Sequence, residues 1–172
     1  MSNYQQQAIE FDITPPNAQT LCIMLGHVGE FGEVCEKLKK FLRGGGQLDN
    51  LNEHRALKKE LLKELGDVWW YFNVHTYRHG FYLDEPNDPG DYVNSTLESL
   101  ISDLLKSLAE MWSDSVVWGK PSELYTFANF NFAFQGIVAK LGLNLVTVEQ
   151  SNLKKLRSRQ ERGLIHGEGD NR

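Results

Sequence analysis

Cysteine is nearly absent from this chain. Cys22 and Cys35 are the only two in 172 residues, with neither metal-site spacing nor a disulfide framework around them. The simplest expectation is two buried, reduced thiols. Excess positive charge is lacking as well. The net charge of −5 argues against broad nucleic-acid binding while leaving room for a local basic patch facing a small phosphorylated substrate. No apolar run approaches the roughly 20 residues that cross a bilayer. Met1 to Asp12 carries no basic stretch and no apolar core of the kind that directs export. These absences predict a cytoplasmic chain with neither membrane nor nucleic-acid partners.

Several catalytic signatures are missing too. There is no Glu-x-x-His anywhere, which counts against a ferritin-like di-iron bundle. His75 and His79 are four apart, but position 76 is Thr where a zinc protease needs Glu. Gly44-Gly45-Gly46 is not followed by Lys-Ser or Lys-Thr, so it is no phosphate-binding P-loop. Val and Ile nowhere alternate over a length that would make a sheet.

What is present is helical. At 172 residues, 41% hydrophobic and 24% charged, the chain suits one domain with one core. A first helix is expected from about Asn17 to Arg43, with Leu21, Leu25, Val28, Val34, Leu38 and Phe41 as its apolar face, ended by the three glycines. Asn50 and Glu53 read as a capping box opening a second helix that runs to Gly80. Glu85 to Gly90 reads as a loop. Ser95 with Glu98 should start a third helix that fades near Trp112. A fourth should end at Leu141, and Thr147 with Gln150 should cap a fifth. Residues 163–172 form a polar tail. The expectation is an all-α bundle of about five helices with mostly antiparallel neighbours.

Two acidic pairs dominate the functional reading: Glu30-Phe31-Gly32-Glu33 and Glu64-Leu65-Gly66-Asp67. Residues three apart share a helix face, so each pair points two carboxylates one way. The second lies beside the apolar stripe Leu57, Leu61, Leu65 and Val68, and adjoins Trp69, Trp70 and Tyr71. Four convergent carboxylates near a core repel one another and lose hydration unless cations neutralise them. An all-oxygen ligand set suits Mg2+, with Mn2+ as a substitute. A glycine inside each pair costs about 1 kcal/mol of helix stability, and its lack of a side chain would let the two acidic faces approach. Glu36 and Glu60 extend these faces, and the plainer reading is that they are solvated partners of nearby lysines.

On the last helix, Asn152, Lys155 and Arg159 share one polar stripe suited to phosphate oxygens; by itself it reads more readily as a solvated basic helix end. Beside an acidic metal site it suggests nucleotide chemistry.

These residues carry a resemblance. Gly29-Glu-Phe-Gly-Glu-Val34, Lys39-Lys40, Glu64-Leu-Gly-Asp-Val-Trp-Trp-Tyr71, Asn152-Leu-Lys-Lys-Leu-Arg-Ser-Arg159, Arg162-Gly163 and the closing Gly-Asp-Asn-Arg172 resemble the signature of MazG-like nucleoside triphosphate pyrophosphohydrolases. The likeness covers residues 17–83 and 141–172. It implies an all-α fold and Mg2+-dependent hydrolysis of an NTP or dNTP between the α- and β-phosphates, giving the monophosphate and pyrophosphate. By similarity Glu30, Glu33, Glu64 and Asp67 hold the metal. Glu33 or Glu30 is the expected base for the water's proton, since the short arm of Asp67 suits rigid ligation better. Asn152, Lys155 and Arg159 contact the nucleotide, and Lys40 corresponds to the family's lysine after the first acidic pair.

The chain departs from compact members of that family by a long insertion before the Asn-Lys-Arg helix. Sliding the sequence so that Leu62, Phe72, Gly80 and Leu83 meet Leu124, Phe134, Gly142 and Leu145 places Thr126 and Asn129 against Glu64 and Asp67. That register suggests a degenerate duplication, with a catalytic half at 17–83 and a half at 94–162 that lost its metal ligands. A homodimer is expected, since such bundles keep an exposed apolar face. The alternative from another class is a non-catalytic helical-bundle protein with a regulatory or interaction role, its acids being surface charge.

Overall fold

The computed structural model describes residues 2–82, 92 and 94–164, apart from the side chains of Asp49, Asn50 and Asn52. Among them are six α-helices and no strand, so the all-α architecture holds. The expected loop at 85–90, Leu83 of the internal comparison and most of the polar tail lie outside the described residues.

The additional element is a short N-terminal helix, α1 (Asn3–Ala8), capped by the Ser2 hydroxyl, which accepts from the Gln5 amide. Six residues cannot hold a helix alone in water; tertiary docking does so here. Gln5 is fully buried and its Nε2 donates to the Thr76 hydroxyl at 3.0 Å and to the carbonyls of Phe81 and Asn73 at 3.2 and 3.3 Å. The Trp70 indole donates to the Ala8 carbonyl at 2.9 Å.

The two long helices, α2 (Gln19–Arg43) and α3 (Arg55–Arg78), pack together as a first hairpin, and α4 (Leu97–Trp112) and α5 (Leu124–Lys140) as a second. A π-helical turn at Ser113–Val117 prolongs α4. The last helix, α6 (Leu145–Glu161), lies against α3. It leaves α5 at a bend of 97°, not antiparallel as expected, and this crossing angle carries its polar stripe to the acidic half of α3. Among the described residues no single helix is long and apolar enough to cross a membrane.

The core between the hairpins is aromatic. Phe72, Phe127, Phe130 and Phe134 are all at most 1% exposed. Phe72 stacks on Phe130 at 4.3 Å, and Trp69 lies nearly parallel to Phe134 at 4.8 Å. Each such ring contributes on the order of 1.5–3 kcal/mol through burial.

Helix ends follow local chemistry only in part. α2 stops at the glycines as expected: Gly45 takes φ +87°, and the Gly46 amide reaches back to the Phe41 carbonyl at 3.1 Å. The starts differ. A 3-10 segment at Leu48–Glu53 occupies the place of the expected Asn50 cap, and α3 begins at Arg55 with no side-chain cap. The box that opens α4 is Thr96 with Ser99, one residue beyond the expected pair. For α6 the cap is Asn144, which accepts from the Val146 amide at 2.8 Å. Each true cap stands close to another capping residue, and packing chooses between them.

The buried face of α2 also differs from expectation. Leu21, Leu25 and Val28 are about half exposed, while Ile23, Met24, His27 and Phe31 join Val34 and Leu38 inside. Cys22 is exposed and Cys35 half-buried, both free, so the expectation of two buried thiols fails for Cys22.

Candidate metal centre

Glu30 on α2 and Glu64 and Asp67 on α3 each place a carboxylate oxygen so that all three lie within 4.8 Å of one another. All three are half-buried. The helix geometry explains the grouping. Glu30 follows the inward-facing His27 by three residues and precedes the inward Phe31 and Val34, so it stands at the rim of the buried face. Glu64 and Asp67 flank the fully buried Leu65 and Gly66 in the same way. Glu33 falls outside the group and is exposed, although its charge still reaches Glu30.

Two lysines hold the triad's other sides. The Lys37 amine lies 3.2 Å from Glu64, and Lys155 of α6 forms an ion pair with the Asp67 Oδ2. The Asn152 Nδ2 donates to Asp67 Oδ1 at 3.0 Å. Asn152 is 2% exposed, and its Oδ1 accepts from the Tyr4 hydroxyl at 2.9 Å. Next to it the Trp69 indole donates to Glu149 at 3.0 Å.

Glu30 has neither a lysine nor a hydrogen-bond donor among these contacts, and its carboxyl is pushed up to about 7. Burial is the largest cause, then the Asp67 charge; Lys155 opposes the shift, and Glu64 and Glu33 add to it. Burial also raises Glu149, against the opposing Trp69 bond. The Tyr4 hydroxyl is held well above its ordinary value, by burial first and then by Glu149 and Asp67.

This arrangement fits a hard divalent cation. Three carboxylates carry one more charge than Lys37 and Lys155 offset, and Glu30 expresses the cost of that excess. A cation among the three would remove it, and the ligand atoms are all oxygen. Gly66 makes the approach of α6 possible: a Cβ there would stand 3.0 Å from the Asn152 Cβ. The expected role of the paired glycines is thus corrected in its partner. Gly66 admits α6, Gly32 meets nothing within 4 Å, and the close approach of α2 to α3 is at Gly26, where a Cβ would strike the Tyr71 ring.

The remaining predicted residues divide. Lys155 and Asn152 reach the triad directly. Together with Lys63, Ser151, Lys154 and Ser158 they line a pocket of about 300 Å3 beside it. Arg159 is half-buried one turn further along α6. Lys40 is not brought to the triad. It pairs with Glu36 at 3.3 Å and borders a separate groove with Phe41, Gly44 to Gln47 and His54; Lys37 occupies the place expected of it. Glu36 also pairs with Lys39, the solvated role expected. A larger cleft of about 810 Å3, lined by Tyr4, Gln7, Glu149, Leu153 and Arg157 among others, separates α1 from α6 and includes none of the triad carboxylates. In the second hairpin, Thr126 donates to Glu110 at 3.1 Å. Among the described residues no further His, Cys, Asp and Glu group of three forms there.

Sequence reasoning missed Lys37, Tyr4 and Glu149. Lys37 was within reach, four residues after Glu33 on the same helix face. Tyr4 was not, since nothing local links it to Asn152.

Comparison with known proteins adds a relative without a described activity. The chain is 28% identical over 151 residues to the Gene 37 protein of Mycobacterium phage L5, covering 87% of this chain and 74% of that protein. No family model matches the chain, and no solved structure does.

Proposed function

We propose that this protein is a Mg2+-dependent nucleoside triphosphate pyrophosphohydrolase of the MazG-like kind. The observation that carries the reading is the convergence of Glu30, Glu64 and Asp67 within 4.8 Å, with Asn152 and Lys155, which both reach Asp67, also lining a small pocket with Lys154 and Lys63. Acid for a metal beside cation for phosphate is what a phosphoric anhydride requires, and the motif likeness names the bond.

Glu30, Glu64 and Asp67 would hold the cation, which supplies neutralisation of phosphate charge and a lowered pKa for water. The chain's own residues do the rest. Lys155, paired with Asp67 in the structure, can turn its amine to a phosphate oxygen once a cation takes over that carboxylate, while Asn152 stays anchored beside Asp67. Lys37 holds Glu64 in place. Glu33, exposed and outside the triad, is free to accept the proton of the attacking water. Water adds to the α-phosphorus, the bond from that phosphorus to the oxygen bridging to the β-phosphate breaks, and pyrophosphate leaves with the bridging oxygen. Exposed Leu21, Leu25 and Val28 form a stripe on α2 that supports a homodimer. Thr126 and Asn129 stand where the first hairpin has its acids, and with Asp103 and Glu110 as the acids near them they support a second hairpin that takes no metal.

One observation favours the non-catalytic reading. Lys37 and Lys155 already pair two of the three acids, as structural ion pairs would. Glu30 argues against it, because a surface acid has no reason to be half-buried among like charges. A screen of the common NTPs and dNTPs with separate pyrophosphate and orthophosphate readouts decides. Pyrophosphate with Mg2+ and none in EDTA is expected; stepwise orthophosphate release, or full activity in EDTA, would refute the reading.

A further inference from the structure

We propose that Tyr4 is a positioning residue of this centre: its hydroxyl anchors the Asn152 carboxamide and thereby steadies the aim of the Asp67 carboxylate. The proposal rests on the metal-centre reading above. It makes the short N-terminal helix part of the site.

The direction of the hydrogen bonds carries the argument. An ionised carboxylate only accepts, so Asn152 must present its NH2 to Asp67, as it does at 3.0 Å. Its Oδ1 then points the other way, into a buried place where it needs a donor. The Tyr4 hydroxyl, on a side chain 4% exposed, meets it at 2.9 Å. The opposite orientation of the amide would set its oxygen against the Asp67 carboxylate, two acceptors face to face. The Tyr4 hydroxyl, which can donate or accept, donates here and so anchors the amide in the orientation that Asp67 selects. Asn152 has little other freedom, because its Cβ already fills the space over Gly66.

The consequence falls on Asp67. Oδ1 is held by Asn152 and Oδ2 by Lys155, which fixes the plane of the carboxylate. Groups that orient a metal ligand in this way typically change affinity by 10–100-fold when lost. The helix that brings Tyr4 does not depend on this bond. Gln5 makes three hydrogen bonds into the end of α3 and beyond, and Trp70 a fourth to Ala8. Removing the hydroxyl alone therefore leaves α1 docked, which makes Tyr4→Phe a clean perturbation.

The test uses Mn2+ alone as probe on the full chain, with binding by calorimetry for wild type, Tyr4→Phe, Asn152→Ala and the double variant. Melting temperatures and the Asn152 side-chain amide signals are measured in parallel without metal. Expected is a loss of about tenfold in Mn2+ affinity for Tyr4→Phe and a larger loss for Asn152→Ala. The double variant should be no weaker than Asn152→Ala, because both act through one amide. The amide signals should move in Tyr4→Phe. Wild-type affinity in Tyr4→Phe, or losses that simply add in the double variant, would overturn the proposal while leaving the metal centre standing. A wild type that binds no Mn2+ would overturn the metal-centre reading, and this proposal with it.

Discussion

Gly32 and Gly66 occupy the same position in two similar acidic pairs, yet alanine should act on them with opposite sign. At Gly32 a Cβ meets nothing within 4 Å and the site is exposed, in the interior of α2. Only the helix propensity changes, so Gly32→Ala should stabilise by about 0.5–1 kcal/mol. At Gly66 the same propensity gain is opposed by contact. The new Cβ would lie 3.0 Å from the Cβ of Asn152, 3.3 Å from its Nδ2 and 3.6 Å from its Cγ. Asn152 is tied at both ends, to Tyr4 and Asp67, and cannot swing away, so α6 must move as a body. Overpacking of this kind costs about 1–3 kcal/mol; after the roughly 1 kcal/mol gain, Gly66→Ala should lose about 0–2 kcal/mol. The two variants should therefore differ by about 1–3 kcal/mol. Urea denaturation reads this as midpoints separated by on the order of 1 M, Gly32→Ala above wild type and Gly66→Ala at or below it. Equal shifts in one direction would show that α6 does not press on Gly66, and the account of how Asn152 reaches Asp67 would fail with it.

Buried histidine predicts a pH dependence. His27 is fully buried with neither ring nitrogen hydrogen-bonded among the described residues, and burial holds it well below its ordinary value, the nearby His75 adding to the shift. His75 is lowered to about 3, by burial and then by His79. Each is neutral in the fold and charged in the unfolded chain below about pH 6.5, so the stability is present above that value and is lost as pH falls through it. The slope is about 1.4 kcal/mol per pH unit for each histidine; His27→Leu should remove one such contribution below pH 6.5, and an unchanged slope would count against the burial argument. On the proposed chemistry, Asp67→Asn and Glu33→Gln should each cost about two orders of magnitude in turnover. They should differ in Mn2+ affinity, lost in the first and retained in the second, because Glu33 lies outside the triad. Glu60→Gln should be mild in both assays.

Much of this protein is local. That it is all-α, that two long helices flank a triple-glycine stop, and that each acidic pair shares a face follow from periodicity and from glycine's own conformational preferences. These depend on neighbours within a few residues. The rotation of α2 did not follow. Leu21, Leu25 and Val28 make as good an apolar stripe as Ile23, Met24, His27 and Phe31, and only the aromatic layer of α3 and α5 decides which is covered. That choice brings Glu30 into the triad and leaves Glu33 in solvent, and it sets Lys37 rather than Lys40 against Glu64. The 97° bend into α6 and the missing side chain at Gly66, whose place Asn152 takes, then decide that Asn152 and Lys155 meet Asp67. Tyr4 reaches Asn152 across nearly the whole chain. Local spacing fixes which side chains share a helix face; which faces meet is decided by how large rings and small glycines fill one core.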